Sequence, residues 1–350
     1  MDAIQQQVLQ AISDKTPLKI IGGNNKAFYS QHIAGKPLSV ADYAGVIHYE
    51  PSELVLTARC GTRLTDIETL LSEQGQMLAF EPPHFGETAT LGGAIATGFS
   101  GSRRAYTSAA RDVVLGVRLI NGRGEVLKFG GEVMKNVAGF DVSRLQVGAL
   151  GSLGVLLDIS LKVLPRPETE ITLQFELDES EAFKRMIAWG KTALPLSGMC
   201  FVNGGLYLRL AGAESAIQRV KHTLGGDVLN NAEEFWLSIR EQQHGFFNGQ
   251  SALWRLSVAA ATEKLPLSGS WLLDWGGALR WLKTDEPADK IFALMNQVSG
   301  HACRFRSLDG YLFQPLNTNL QCLQDNVKLA FDPYQIFNYS DGFKSTPSIF

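Results

Sequence analysis

The sequence predicts an α+β protein of two domains, the first built from two α/β subdomains and the second from an antiparallel sheet with helices. Three observations support this prediction. Helix and strand signals alternate through the first half of the chain. The segment PRPE at 165–168 then breaks a long strand with two prolines, and five of the six tryptophans lie beyond Cys200. We therefore predict domains at 1–167 and 168–316, followed by a C-terminal helix and tail, 317–350, that return toward the first domain.

The composition is that of an ordinary folded chain. The 350 residues are 45% hydrophobic and 19% charged, with a net charge of -3, which excludes disorder and leaves no basic surface for nucleic acid or membrane. The four cysteines form no CxxC pair, so we expect reduced thiols and no metal site. The N-terminus does not resemble a signal peptide and no apolar run is long enough to cross a membrane. We expect a cytoplasmic protein, at most peripheral to the inner membrane through partners.

The elements of the first half follow from apolar periodicity and turn residues. They are, in order, a helix at 3–13, a strand at 18–21, a strand at 53–59, a helix at 64–74, a hairpin at 113–131, a short helix at 142–147 and a strand at 151–164. Asn121-Gly122 is expected to supply the positive φ angles of the hairpin turn. The glycine-rich span 90–104 suits neither a surface helix nor a strand interior, which indicates that it touches something.

The second half continues with strands and helices of similar length. The predicted order is a strand at 171–177, a helix at 179–192, strands around 202–210, helices at 213–224 and 231–243, a strand at 253–259, a hairpin at 271–283, a helix at 288–298, a strand at 301–305 and a helix at 317–331. Gly276 and Gly277 mark the turn of the hairpin. This order is typical of an antiparallel sheet backed by helices on one face, a ferredoxin-like arrangement.

Glycine-rich loops joined to strands are the strongest chemical signal. Their backbone N–H groups, unobstructed by Cβ atoms, can converge on phosphate oxygens. GGNNK at 22–26 lacks the spacing of GxxxxGK[ST], however, and GALGSLG at 148–154 precedes a strand where a dinucleotide fingerprint would follow one. From spacing alone, phosphate binding and simple turn formation are both open.

Five ordered segments of the first 165 residues resemble a known family, the FAD-binding domain of the vanillyl-alcohol oxidase and p-cresol methylhydroxylase (PCMH) type. They are IIGGNNKAF, TLGGAIATG, the hairpin RDVVLGVRLINGRGEVLKFGG, KNVAGFD, and GALGSLGVLLDISLKVLPRP. Within that family the chain resembles the FAD-binding subunits of bacterial glycolate oxidases, through EPPHFGETATLGG, GGEVMKNVAGFD, LDWGGALRWLK and GHACRF. The resemblance implies a PCMH-type FAD-binding domain followed by a ferredoxin-like cap.

The resemblance also implies which residues contact FAD. The residues that match the two pyrophosphate loops are Gly22, Gly23, Asn24, Asn25, Lys26, Thr90, Leu91, Gly92, Gly93, Thr97 and Gly98. Those that match positions near the ribityl chain and isoalloxazine, or near adenine and ribose, are Ser108, Arg111, Asp112, Gly151, Gly154 and Val155. The alternative for each Thr or Ser is a helix cap, and for Asp112 a solvent-exposed ion pair with Arg111.

The chain departs from the family pattern in three places. Relatives with covalent flavin carry a histidine in the first loop, whereas GGNNKAF has none, so the resemblance implies noncovalent FAD. Leu150 and Ser152 replace the acidic residue and the threonine of the family's G-S-E-G-T-L-G-I segment. The C-terminal DPYQIFNYSDG keeps Asp332, Pro333 and Asn338 of the family's ending but loses the Pro-Gly that follows. Asn338 is therefore included among the expected cofactor-binding residues.

Catalytic residues are harder to assign, because the G-E-H-G motif of hydroxy-acid-oxidising relatives is absent. Oxidation of a 2-hydroxy acid needs a base, a cation for the carboxylate and flavin N5 as hydride acceptor. The candidates on the cap are His301, Arg304, Arg255 and Arg280. The favoured alternative is that the arginines stack on Trp254, Trp281 or Phe305 and that His301 is structural. His84 either faces the isoalloxazine or is a turn residue with its ring on the surface.

The resemblance implies the FAD-binding subunit of a glycolate dehydrogenase complex, which oxidises glycolate to glyoxylate beside a catalytic flavin subunit and an iron-sulfur subunit. An autonomous FAD-dependent 2-hydroxy acid dehydrogenase and a structural subunit that has lost flavin are the alternatives. A hetero-oligomer is also expected from a possible exposed patch, to which these aromatic residues would contribute: Phe235, Trp236, Phe246, Phe247, Trp254, Trp271, Trp275 and Trp281.

Overall fold

The computed structural model describes residues 1–29, 34–131, 141–306 and 312–338. The motif KNVAGFD lies mostly outside this part of the chain, as does the tail from 339 onward. Two compact units are present. The first consists of Met1–Phe99, Ala109–Pro165 and the chain from Pro315, and the second of Ser100–Ser108 and Arg166–Gln314.

The elements are numbered in chain order. The helices are α1 (Asp2–Asp14), α2 (Leu64–Glu73), α3 (Leu91–Thr97), α4 (Ala110–Val113), α5 (Val142–Leu145), α6 (Glu179–Gly190), α7 (Glu214–Leu224), α8 (Ala232–Arg240), α9 (Ala288–Gln297) and α10 (Thr318–Phe331). The strands are β1 (Leu18–Ile21), β2 (Lys36–Ser39), β3 (Val46–Glu50), β4 (Val55–Arg59), β5 (Gln76–Met77), β6 (Val114–Ile120), β7 (Val126–Gly130), β8 (Val155–Lys162), β9 (Leu164–Pro165), β10 (Thr169–Glu176), β11 (Leu196–Val202), β12 (Gly205–Gly212), β13 (Asp227–Val228), β14 (Leu253–Ser257), β15 (Ser270–Asp274), β16 (Leu279–Lys283), β17 (His301–Phe305) and β18 (Leu312–Phe313).

The first unit joins a parallel pair, β1 and β2, to an antiparallel sheet in the order β3-β4-β8-β6-β7 within the described residues. Apolar residues at helical spacing put one face of α2 into the core. Leu64, Ile67 and Leu71 are fully buried and share one cluster with Leu56 of β4 and Ile159 of β8. The periodicity that predicts α2 is therefore also what anchors it to the sheet.

The β6–β7 hairpin forms as predicted, but its turn uses different chemistry. The loop spans residues 121–125 rather than a two-residue turn, and Gly124 provides its positive φ of 77°. Asn121 acts through its side chain, whose Oδ1 accepts hydrogen bonds from the N–H groups of Arg123 (2.9 Å) and Glu125 (3.0 Å). The expectation that Asn121-Gly122 supplies the positive φ angles is wrong, because the asparagine side chain closes the loop instead.

The second unit contains an antiparallel sheet whose described strands run in the order β13-β10-β12-β11-β15-β16-β14-β17-β18. Its hairpin turns at Gly276 (φ 65°) and Gly277 (φ 94°), as predicted. Residues 100–108 also belong to this unit, although the sequence places them in the first domain. The indole N–H of Trp275 donates to the Gly101 carbonyl (2.9 Å), and Ser102 donates to Asp274 (2.9 Å). These bonds explain the difference.

Helices cover both faces of this sheet, not one face as the sequence analysis expects. On one face, Met186 of α6 and Ile217 of α7 pack with Leu208 of β12. On the other, Phe235 of α8 stacks on Tyr207, with 4.0 Å between ring centroids. Because Tyr207 and Leu208 are neighbours in one strand, they point to opposite faces.

Because helices cover both faces of this sheet, they bury most of the aromatic residues that the sequence analysis expects in an exposed patch. Six of the eight lie in the interior with 2–8% exposure, namely Phe235, Trp236, Phe246, Trp254, Trp275 and Trp281, and Phe247 and Trp271 are half-buried. The expected exposed patch is therefore wrong. Several exposed large apolar side chains lie instead on α10 and just after it: Leu320, Leu323, Leu329 and Tyr334.

A buried ion pair fixes the chain after α10. Asp332 is fully buried and accepts a hydrogen bond from Lys328 Nζ (2.6 Å) and from the N–H groups of Ile336 (3.1 Å) and Phe337 (2.9 Å). Lys328 also donates to the carbonyls of Ser152 (2.6 Å) and Phe337 (3.0 Å). Burial lowers the pKa of Lys328, and the charge of Asp332 opposes that shift. The pair of Lys328 and Asp332 thus links α10, the segment that follows it and the loop before β8.

We expect Asp332→Ala to lower the free energy of unfolding by about 3–5 kcal/mol, because the substitution leaves Lys328 largely buried without its counter-charge. Urea unfolding followed by circular dichroism measures the change. Asp325→Ala, on the exposed side of the same helix, is the matched control and should stay within about 0.5 kcal/mol of the parent. Equal losses in both variants would contradict the anchoring role of Asp332.

Candidate functional site

A cleft opens in the first unit beside the end of β1. Four segments that are far apart in the sequence form it: the end of β1 with the first glycine loop, the segment 89–97 that includes α3, the loop at Leu150, and Asn338 after α10. The lining residues are Lys19, Ile20, Ile21, Gly22, Gly23, Asn24, Asn25, Lys26, Ala27, Ala89, Thr90, Gly93, Ala96, Thr97, Leu150 and Asn338. The structure therefore brings together both glycine segments that the sequence analysis singles out.

The first loop lies directly against the segment before α3. A Cβ atom on Gly22 would come 2.6 Å from the Thr90 hydroxyl, and one on Gly23 would come 1.6 Å from the Thr88 carbonyl oxygen. The Thr88 hydroxyl itself lies 2.7 Å from the Gly23 carbonyl oxygen and 2.7 Å from Asn25 Oδ1. Glycine is needed at both positions because one backbone touches the other.

The second glycine segment forms a short buried helix, α3, which the sequence analysis does not predict. Thr90 caps it, because its hydroxyl oxygen accepts a hydrogen bond from the Gly93 N–H (3.2 Å). Gly98, with a φ of 64°, ends it. Leu91 and Ile95 are fully buried. A helix this poor in polar residues lacks the amphipathic signal by which surface helices are recognised.

The two adjacent glycines of α3 have different surroundings. A Cβ atom on Gly92 would meet the Cβ and the carbonyl oxygen of Cys60 at 2.8 and 2.9 Å. One on Gly93 would meet only the Thr90 hydroxyl, at 3.3 Å, and Gly93 lines the cleft. Gly92 therefore serves packing between α3 and the chain after β4, whereas Gly93 keeps the cleft open.

The third wall is built by Asn338. Its side-chain oxygen accepts a hydrogen bond from the Ile20 N–H (2.9 Å), and its side-chain amide donates to the Leu150 carbonyl. Its own N–H donates to the Leu18 carbonyl (2.9 Å). Asn338 thus joins β1 to the loop before β8. Both Asn338 and Leu150 line the cleft, but the sequence analysis expects cofactor binding only of Asn338 and treats Leu150 as a departure from the family pattern. The sequence gives little indication that Leu150 lines the cleft, because its backbone carbonyl, and not its side chain, makes the contact with Asn338.

Other expected cofactor-binding residues are not among those that line the cleft. Gly151 packs behind Asn338, where a Cβ atom would come 2.7 Å from the side-chain nitrogen, and Gly154 packs on the Ile120 carbonyl at the same distance. Val155 is fully buried in the core. Leu91, Gly92 and Gly98 also lie outside the lining residues, so packing accounts for their local positions.

The hairpin-side candidates of the first unit, Arg111 and Asp112, do not line the cleft either. Ser108 belongs to the second unit, and Arg111 and Asp112 are exposed. Asp112 accepts a hydrogen bond from the Ala109 N–H (3.0 Å) at the start of α4. This contact is a helix cap rather than the ion pair with Arg111 that the sequence analysis weighs as the alternative.

The electrostatics of the cleft favour an anion. Lys19 and Lys26 line it, while none of the described lining residues carries a carboxylate. Lys26 is only 8% exposed, and its ammonium donates to the His84 carbonyl (3.3 Å) and lies 5.7 Å from the Phe85 ring centroid. A pyrophosphate group, with two negative charges and many acceptor oxygens, fits such a lining.

His84 contributes its backbone rather than its ring. The imidazole Nε2 lies 3.2 Å from Glu68 Oε1, and the side chain is 12% exposed. It is not a lining residue of the cleft, and its ring is not on the surface, so the surface-turn alternative is wrong and the position facing the isoalloxazine stays a prediction.

The cap candidates divide between two faces of the second sheet. Arg255 and His301 occupy adjacent strands, with Arg255 donating to the Ser257 hydroxyl (3.3 Å) and Ser257 opposite His301 in the register. Burial, with help from the charge of Arg255, lowers the pKa of His301 to about 4. A neutral imidazole with so low a pKa is a poor proton acceptor. The strand alternation turns Arg280 and Arg304 toward the opposite face.

For Arg255 and Arg280, the expected stacking partners also differ. The guanidinium of Arg255 lies 5.3 Å from the ring centroid of Trp275, and that of Arg280 lies 5.2 Å from Phe183. The sequence analysis names Trp254, Trp281 and Phe305 instead. Trp254 packs in the core against Phe292, and Trp281 packs edge-on against Phe305, so ring-to-ring contacts occupy those residues.

Two further searches cover the described part of the chain. No group of three His, Cys, Asp or Glu side chains there is placed to hold a metal ion. None of the helices there combines the length and the apolar character that crossing a bilayer requires.

Comparison with known proteins identifies relatives. Residues 1–130 match a family described as the FAD binding domain. The chain is 46% identical to glycolate oxidase subunit GlcE of Escherichia coli (strain K12), over 96% of this chain and 95% of that protein. It is 30% identical to glycolate oxidase subunit GlcD of Bacillus subtilis (strain 168), over 37% of this chain and 27% of that protein. The predicted FAD-binding family is confirmed.

Among solved structures, alkyldihydroxyacetonephosphate synthase has a TM-score of 0.67 to this chain, with 13% identity, and covers 96% of this chain and 74% of its own. At that identity the likeness concerns the fold alone. It agrees with the predicted fold class, a PCMH-type FAD-binding α+β protein.

The two glycines of α3 give a test of which residues face the cofactor. Gly93→Val should fold normally but bind FAD at least about tenfold more weakly, because its side chain enters the cleft. Gly92→Val should instead lower thermal stability, because its side chain collides with Cys60. Titration of apoprotein with FAD and thermal unfolding measure the two effects. Unchanged FAD affinity in a folded Gly93→Val variant would show that the cofactor lies elsewhere.

Proposed function

Because this chain belongs to the family of glycolate oxidase subunit GlcE, we propose that it is the FAD-binding subunit of a multi-subunit glycolate dehydrogenase. The observation that carries the proposal is the 46% identity, which extends over nearly the whole length of both chains. A match confined to the FAD domain would suit any flavoprotein of this fold, whereas this match includes the cap. The reaction of the complex would convert glycolate to glyoxylate.

The cofactor is FAD, and we propose that the cleft of the first unit holds its pyrophosphate. Three features support this placement: the space kept free at Gly93, the backbone of the first loop, and the positive charge of Lys19 and Lys26. When bound, FAD supplies a hydride acceptor at N5. The residues of this chain would position it, with Asn338 holding the two walls together.

We propose that substrate oxidation involves partner subunits, a catalytic flavin subunit and an iron-sulfur subunit. The low pKa of His301 supports a minor catalytic role for this chain's cap. Any association with the inner membrane would come through those partners. The second candidate, an autonomous 2-hydroxy acid dehydrogenase, is favoured only by the adjacent positions of Arg255, Ser257 and His301.

Noncovalent attachment of the flavin is expected because the first loop reads GGNNKAF and offers no histidine. Acid precipitation of the yellow protein should release all of the flavin into the supernatant. The measurement compares the flavin absorbance of the supernatant with that of the redissolved pellet. Flavin that remains with the washed pellet would contradict this expectation.

The isolated, FAD-replete chain should not sustain glycolate oxidation with an artificial electron acceptor, whereas the coexpressed complex should. The measurement is dye-linked turnover on equal amounts of each preparation. As a control, the complex assembled with His301→Ala should keep most of its kcat. Loss of a general base typically lowers the rate by about a hundredfold to ten-thousandfold. Equal activity of the isolated chain and the complex would favour the autonomous dehydrogenase.

A further inference from the structure

A second cleft lies wholly within the second unit, where α6 meets β15 and β16. Its apolar walls come from α6, from the loop before β15 and from β15 itself: Phe183, Leu265, Trp271 and Leu273. Two aromatic rings and two aliphatic side chains make a surface suited to the apolar part of a small molecule. Nothing in the proposed flavin chemistry uses this cleft.

A buried cation, Arg280, completes the cleft. The residue is 3% exposed, and its guanidinium donates to the carbonyls of Gly277 (3.0 Å), Glu263 (2.9 Å) and Thr262. A guanidinium has five N–H groups, so these three bonds leave one on each terminal nitrogen. Burial lowers the pKa of Arg280 to about 10, and the group is therefore charged at neutral pH.

The nearest acidic side chain does not neutralise this charge by contact. Glu179 also lines the cleft, and its carboxylate pairs with Lys264 at 3.1 Å. Its charge raises the pKa of Arg280 from a distance, but it makes no ion pair with that guanidinium among the described contacts. Backbone carbonyls are neutral partners. A buried cation with only neutral partners is costly unless an anion joins it.

We propose that this cleft binds a small carboxylate with an apolar ring or chain. The carboxylate accepts the two remaining N–H groups of Arg280, in the paired geometry that guanidinium and carboxylate groups favour. The apolar part lies against Phe183 and Trp271. The proposal does not depend on the assignment of the FAD cleft, because it concerns only residues of the second unit.

Phenylacetate is a suitable probe, and phenylacetamide is the matched neutral compound. Calorimetric titration of the FAD-loaded chain should show saturable binding of phenylacetate and at least about tenfold weaker binding of phenylacetamide. Phenylacetate should also quench tryptophan fluorescence, and Trp271→Phe should remove most of that quenching. Equal affinity for the two compounds, or no saturable binding of phenylacetate, would overturn the proposal.

Two variants locate the binding. Arg280→Gln should weaken phenylacetate binding at least about tenfold. Since Arg280 also holds the loop at 262–263, Ser180→Phe provides an independent test: this exposed residue lines the mouth of the cleft at the second position of α6. Ser215→Phe is the matched control, at the exposed second position of α7. Phenylacetate should bind Ser215→Phe normally and Ser180→Phe at least tenfold more weakly, and equal binding to both would place the ligand elsewhere.

Discussion

The cleft of the first unit depends on the direct contact of two backbones, those of the first glycine loop and of the segment before α3. A Cβ atom at Gly23 would overlap the Thr88 carbonyl oxygen, at 1.6 Å. No side-chain rearrangement relieves an overlap between a Cβ atom and a backbone atom, so any larger residue must separate the two segments. Separation would widen the cleft and move the N–H groups that a pyrophosphate needs.

Another wall of the cleft is held by a residue that follows α10. Asn338 accepts a hydrogen bond from Ile20 and donates one to Leu150, and its position depends on the buried pair of Lys328 and Asp332. The close approach of Gly122 to Asp332, where a Cβ atom would come within 2.3 Å of the carboxylate, fixes the pair against the hairpin loop. The stability of this unit and the shape of the cleft are therefore coupled through α10.

Local pattern was sufficient to predict most of the fold. The spacing of Leu64, Ile67 and Leu71 predicts α2 because the same residues fill the core, and the two glycines at 276–277 predict a turn because both adopt positive φ. Features that depend on distant residues were not predictable. Which faces of the second sheet are covered follows from the packing of Phe235 on Tyr207, and nothing in the spacing of either segment reveals it.

The site shows the same division. Glycine loops could be located from sequence because the absence of a side chain is itself the signal. The different roles of Gly92 and Gly93 could not be predicted from sequence. They depend on the distance of each glycine from Cys60, which lies about thirty residues earlier in the chain. Tertiary contacts of this kind determine whether a glycine serves the ligand or the packing.

The departures at Leu150 and Ser152 from the family pattern can be understood in the same terms. Leu150 meets Asn338 through its backbone carbonyl, and the carbonyl of Ser152 accepts a hydrogen bond from Lys328. The Ser152 hydroxyl donates locally to the Ala149 carbonyl (2.7 Å). Since backbone atoms make the long-range contacts, the loop can keep its position while its side chains change.

An acidic side chain at position 150 would, moreover, add negative charge to a cleft whose described lining carries none. The leucine therefore keeps the described lining of the cleft free of carboxylates.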